Sequence, residues 1–538
     1  MKKYNFFVVF FVILLFTGCS RNASGENELN MAISSSPLTA DPQMMYDVNS
    51  ATVGGFFCST LYIYNSEKKL VSGLAESYEV SDDGLKYTFH LKDGLKWSDG
   101  RALTAEDFVY GFKRLSDPDV GSNSVYLITD CCKLKNAAAI VERSLPLDEL
   151  GVSAPDSNTF IAELEEPCTY FLDLLTMANF TPCNEAFFHS TGGKYGSSFD
   201  TVLSCGPYIL DRYEPLATQI HFKKNPYYFD SDSIYLDGVN IQVIANAQQA
   251  LMCYEAGDID ILNIDGELLE LTDTDPELNI FTCASLFYVP MNQIPADKAL
   301  QNRNIRLALS KSIDRKDIAE NLLKSGNEPM TRIIPPGFYY ETDGTDFAAN
   351  QDMYDEYAAY DADAALSYWN RGLSEIGTSL VNIEFVFANN YTEVAEVIAS
   401  QMEKNLPGLT IKLKSVPFKE RIAIESSGEY DLVLSGWNAD YSDPTAFLAL
   451  FLSSFGDSYY KNQEYDDEYM LSTSPEMTKN IESRNEVLHR VEDIIMEDAG
   501  VIPVYTKGNT YLIRSNIKGF QTTPTGNSIV VTGFRLDN

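Results

Sequence analysis

The chain has 538 residues, of which 45% are hydrophobic, 22% charged and 12% aromatic, the composition of a globular protein with more than one core. Asp and Glu number 77 against 40 Lys and Arg, a formal charge of −37, and a surface of that sign repels phosphate backbones and excludes general nucleic-acid binding. With 32 Tyr and 30 Phe but only 4 His, an aromatic-lined site is favoured over metal or histidine-base chemistry.

Lys2 and Lys3 precede an unbroken apolar run over residues 6–16. That length suits a signal-peptide core and falls short of the roughly 20 residues that cross a bilayer. Thr17 and Gly18 then lead into Cys19. Small residues directly before a Cys at the end of such a run resemble the lipobox of bacterial lipoproteins, although Phe16 stands where that family usually has an aliphatic residue. The resemblance implies a signal peptide over 1–18, diacylation of Cys19 and a lipid anchor at the outer face of the cytoplasmic membrane, extracellular or periplasmic. The small polar residues up to 28 read as a tether. Cys58, Cys131, Cys132, Cys168, Cys183, Cys205, Cys253 and Cys283 follow. An even number in an exported chain permits disulfides, with the pairing open. No C-x-x-C occurs, so buried thiols or bridges are favoured over a zinc site.

The elements begin with a strand at 29–34. Residues 85–92 alternate, Leu85, Tyr87, Phe89 and Leu91 on one face and Lys86, Thr88, His90 and Lys92 on the other, the signature of a half-buried strand with a solvated His90. Two turns flank Trp97, and Thr104 followed by Asp107 predicts a capping box for a helix with Phe108, Val109 and Phe112 on its apolar stripe. Strands are predicted at 220–222, 239–244, 409–416, 431–436, 502–505 and 510–513. Helices are predicted at 247–256, 306–312, 317–324 (capped by Asp314), 361–370, 393–405 and 480–498, the last being the longest. There is no internal repeat, and the mixture predicts an α/β protein with more than one sheet.

Enzyme signatures are missing. The chain has no G-x-S-x-G elbow, no H-E-x-x-H and no Walker loop, and Gly54-Gly55 does not extend to G-x-G-x-x-G. Acidic pairs such as Asp466-Asp467 are expected by chance in so acidic a chain and read as solvated faces. A binding protein is the default, with no cofactor and no metal.

Four stretches make that default specific. Residues 75–114 (AESYEVSDDGLKYTFHLKDGLKWSDGRALTAEDFVYGFKR), residues 434–447 (LSGWNADYSDPTAF), residues 500–507 (GVIPVYTK) and the pair 205–208 and 224–228 (CGPY, KNPYY) resemble, in the same order, the family 5 extracellular solute-binding proteins of ABC transporters, in particular the oligopeptide-binding group. The resemblance implies a two-lobed, periplasmic-binding-protein-like cleft fold (type II, cluster C) with an extra small domain. It places a first lobe over 29–60, 181–280 and 507–538, the extra domain over 61–180 and a second lobe over 281–506, with lobes that close by rigid rotation.

Residue by residue, the resemblance implies that Asp440 pairs with the α-amino group of a peptide. Charge-assisted hydrogen bonds in a partly dry cleft are roughly twice as strong as neutral ones. Val48, Gly436 and Asn438 would supply main-chain partners, so that strand-like pairing binds peptides of many sequences. Trp437, Phe418 and Tyr391 would line side-chain pockets. Leu434 and Tyr391 stand where relatives carry groups that meet a short peptide's carboxylate, which favours longer peptides here. Cys283 falls near a position bridged to the G-W-x loop in some relatives, but Asn438 replaces its partner and that bridge cannot form. The implied partners are a peptide, permease subunits with their ATPases, and the membrane through the anchor, the protein itself being a monomer. Another solute (an oligosaccharide or a metal chelate), a peptide-pheromone receptor and a secreted hydrolase are the alternatives.

Overall fold

The central strand Glu28–Ile33 runs parallel to Gly238–Val243 on one side and to Ile261–Asn263 on the other. A strand enclosed in this way is buried on both faces: Leu29, Met31 and Ile33 enter one core, and Ala32 enters another beneath the helix Ala247–Ala256. The full sheet has seven strands in the order Leu278–Thr282, Gly508–Ile513, Ile261–Asn263, Glu28–Ile33, Gly238–Val243, Gln219–Lys224 and Tyr208–Arg212. Its members come from both ends of the chain, so this lobe is discontinuous in sequence. The computed structural model describes residues 27–537 apart from 215, 217, 265–266, 273, 295–297, 325, 351, 455–458 and 526–527. The leader, Cys19 and the tether up to residue 26 lie outside the described residues.

A separate core, running from Leu61 to Cys205, surrounds a four-stranded sheet of Ala75–Val80, Lys86–Leu91, Thr159–Glu163 and Val152–Asp156. The alternation in the second of these strands puts Tyr87, Phe89 and Leu91 into that core. The helix Ala105–Ser116 packs over it, with Phe108 and Phe112 at 5.6 and 5.1 Å from the Phe160 ring. Asp107 accepts hydrogen bonds from the Thr104 backbone and the Trp97 indole, both at 3.0 Å. One carboxylate therefore caps the helix and fixes the turn before it.

The second lobe holds two sheets. Val381–Ala388 lies parallel between Leu409–Val416 and Leu432–Val433. A four-stranded sheet orders Glu328–Pro329, Val501–Thr506, Ser285–Pro290 and Ser435–Asn438. The expected single strand over 431–436 is corrected here: it is two strands in two sheets. The Leu434 N–H bonds Val386 of the first sheet at 2.9 Å, and the Ala439 N–H bonds Ala284, just before the second sheet's Ser285–Pro290, at 2.8 Å. A short apolar run carries no period that names its neighbour, which is why its sequence reads as one strand. The remaining helices include Ala362–Ile376, longer than expected, and Ile481–Glu497 with Asn480 as its cap. Residues 317–323 form a π-helical segment, with Asp314 accepting from the Asp317 N–H at 3.1 Å. Among the described residues no helix is long and apolar enough to cross a membrane.

Candidate functional site

The edge strand Ser435–Asn438 is paired only with Ser285–Tyr288. Backbone direction alternates along a strand. Because the Ala439 N–H points at Ala284, the backbone groups of Gly436 and Asn438 point the other way, away from the partner strand. Both residues are exposed. Gly436 is required by packing, since a Cβ there would lie 2.7 Å from the Phe287 ring.

Directly after this strand the chain turns into the loop carrying Asp440. Asp443 anchors the loop: it is buried, takes two hydrogen bonds from Arg484 at 2.8 and 2.9 Å, and bonds the Thr445 hydroxyl at 2.6 Å. Tyr441 stacks on Tyr170 with centroids 3.7 Å apart, and the Ser442 hydroxyl donates to Phe338 O at 2.8 Å. These contacts tie the loop to two bodies of the fold and hold Asp440 in place.

Asp440 faces a cavity of about 560 Å³. Asn438 and residues 440–442 line one side, and the other is built from segments within 45–60, 123–126, 173–179 and 523–532. Burial pushes the Asp440 carboxyl up to about 6, against the opposing effect of a hydrogen bond from the Tyr126 hydroxyl. No Lys or Arg is among the described lining residues. A carboxylate so placed can accept an ammonium group from a ligand. Val48 lines the same cavity as first residue of the helix Val48–Phe57, behind the Asp47 cap. Its N–H lacks an intrahelical partner by position, while its carbonyl accepts from the Thr52 hydroxyl at 2.8 Å.

Trp437, Gly436 and Phe418 line a second, smaller cavity of about 250 Å³ within the second lobe. Arg421 lies in its wall, paired with Glu425 and bonded to the Ser435 hydroxyl at 2.9 Å. The cation absent at Leu434 is therefore not restored by Arg421, whose charge is already met. Tyr391 borders neither cavity; its ring lies 5.4 Å from Phe287 and 5.9 Å from the Lys507 ammonium. The proposed site residues thus fall into two groups and one outlier. Tyr126, Asp173 and Tyr64 also border the larger cavity and carry no motif that sequence reading could have found. All eight described cysteines are thiols, and among the described residues no cluster of His, Cys, Asp or Glu is set to hold a metal.

Residues 69–459 match the profile of the bacterial extracellular solute-binding proteins, family 5. The chain belongs to that family. It is 30% identical to the dipeptide-binding protein of Lactococcus lactis over 95% of both chains. Peptide-bound OppA of Listeria monocytogenes, 29% identical, superposes with a TM-score of 0.69 over 96% of this chain and 100% of that one. The unliganded open form of the murein tripeptide binding protein MppA, 25% identical, gives 0.84 over 95% and 98%. The chain thus superposes better on that unliganded open form than on the peptide-bound structure.

Proposed function

We propose that this protein captures peptides in the cleft between its lobes and delivers them to the permease of an ABC transporter. The observation that carries the reading is Asp440: a half-buried carboxylate with no Lys or Arg among the described residues lining its cavity, at the end of a strand whose outer edge is open. An extended peptide placed along Gly436 and Asn438 would add a strand, and its α-ammonium would reach Asp440. Backbone pairing of this kind is indifferent to side chains and suits a transporter of mixed peptides. The smaller cavity beside Trp437 and Phe418 has the size and lining of a side-chain pocket. The peptide names carried by the relatives support the same ligand class. A lipid on Cys19 would hold the protein at the outer membrane face, next to the permease. The cores support the expected division into a first lobe (29–60, 181–280, 507–538), a small domain (61–180) and a second lobe (281–506), although Leu203 and Cys205 pack with the small domain.

Native mass spectrometry of residues 20–538, made in a host cytoplasm and measured as purified and after refolding, tests the reading. The expected result is a ladder of co-purified peptides that is lost in Asp440→Ala. A folded protein that takes up no member of a peptide pool, yet binds a sugar or a metal chelate, overturns it.

A further inference from the structure

Four of the five buried carboxylates among the described residues are neutralised by arginine, the fifth, Asp107, being held by Trp97, Asn184 and the Thr104 N–H. Asp41 meets Arg114, Glu425 meets Arg421, Asp443 meets Arg484 and Glu492 meets Arg332. This is the usual requirement for a charge removed from water. The half-buried carboxylates of the large cavity are different. Asp47, Asp173 and Asp440 all line it, and its described lining contains no Lys, Arg or His. Asp173 accepts a hydrogen bond from the Tyr64 hydroxyl, and Asp440 accepts one from Tyr126. Asp47 spends Oδ1 on the Ser50 N–H at 2.9 Å, while its Oδ2 is buried with no hydrogen-bond partner among the described residues.

Asp440 accounts for one positive group on a peptide. Asp47 and Asp173 have no cation beside them among the described lining residues, and the cavity is the space they share. We propose that Asp173 is a specificity-determining residue that receives a second positive charge, a Lys or Arg side chain at the first or second position of the peptide. The placement suits this. Tyr64, which holds Asp173, lines the same cavity as Asp440 and Ser442, two residues beyond Asp440. Asp173 and Asp440 border one cavity, so a side chain at the first or second position of a peptide anchored on Asp440 enters the space that Asp173 faces. Burial pushes the Asp173 carboxyl up to about 7, opposed by the Tyr64 hydrogen bond and reinforced by Asp443. An arginine partner would have acted in the opposite sense. Asp173 sits on the segment Phe171–Leu174 of the small domain's core and Asp440 on the second lobe, so a doubly charged peptide end would also tie these two bodies together.

This inference rests on the peptide-binding reading, and the test separates the two. The pentapeptides Lys-Ala-Ala-Ala-Ala and Ala-Lys-Ala-Ala-Ala are titrated calorimetrically into the refolded protein beside their norleucine counterparts, which match lysine in length but carry no charge. A charge-assisted pair predicts that at least one lysine peptide binds about tenfold or more tightly than its counterpart. In Asp173→Asn that ratio is expected to fall below about twofold. Equal affinity of lysine and norleucine at both positions, or a ratio unchanged in Asp173→Asn, overturns the assignment and leaves peptide binding standing. Failure of all four peptides to bind the folded wild type overturns both readings. Should Asp173→Asn not fold, the wild-type comparison alone still decides whether the cavity reads a second charge.

Discussion

At Asp440, the proposed binding role and stability pull in opposite directions. Burial raises the carboxyl from 3.8 to about 6. The folded chain therefore holds this proton more tightly than the unfolded chain does, and ionisation costs stability. The cost is absent below pH 4, grows between pH 4 and 6, and is constant above. Asp440→Asn is accordingly expected to stabilise the unliganded protein at pH 7.5 by about 1–2 kcal/mol, allowing for the residue's partial solvent contact. The gain should vanish near pH 4, as thermal melts at the two pH values would show. The same variant is expected to lose roughly a hundredfold or more in peptide affinity, since an ammonium placed without its partner charge is stranded. For the wild type, peptide affinity should decline as pH falls below 6, where the free carboxyl gains its proton; a calorimetric series from pH 5 to 8 would detect it. The motif around this aspartate was legible because strand, aromatic and loop are contiguous. Asp173 was not, because its significance comes from space shared with residues far away in sequence.

The edge strand and its loop form an element whose rigidity has identifiable causes. Gly436 lies against the Phe287 ring, and Gly436→Ala is expected to displace the strand, costing about 1–3 kcal/mol and weakening peptide binding with it. Urea denaturation and the same peptide titrations would measure the two effects separately. Arg484 is almost fully buried and clasps Asp443. Removing one partner of a buried pair costs about 3–5 kcal/mol, so Arg484→Met should lower the melting temperature while Asp440 itself is untouched. The capping box at Thr104 and Asp107 and the alternating strand before it follow the expected pattern, because cap and period are local properties. The run 431–436 does not, because three consecutive apolar residues satisfy either sheet equally and tertiary neighbours divide them.

For the whole molecule, the proposed capture of a peptide between lobes predicts a motion. On the proposed reading, a peptide spanning Asp440 on one body and the 45–60 segment on another would gain contacts as the lobes approach, and that differential binding would drive closure. Small-angle scattering is expected to show a smaller radius of gyration on peptide addition, and no change with Asp440→Ala. A mixed α/β architecture, most helices and strands and the family resemblance are all read from residue order alone, since each depends on neighbours within a few turns of chain. The larger cavity's second carboxylate, the separation of Trp437 and Phe418 from Asp440 into another pocket, and the placement of Tyr391 outside both depended on the tertiary structure. These features arise where segments hundreds of residues apart meet, and whether a buried charge is compensated depends on every side chain that folding brings to it.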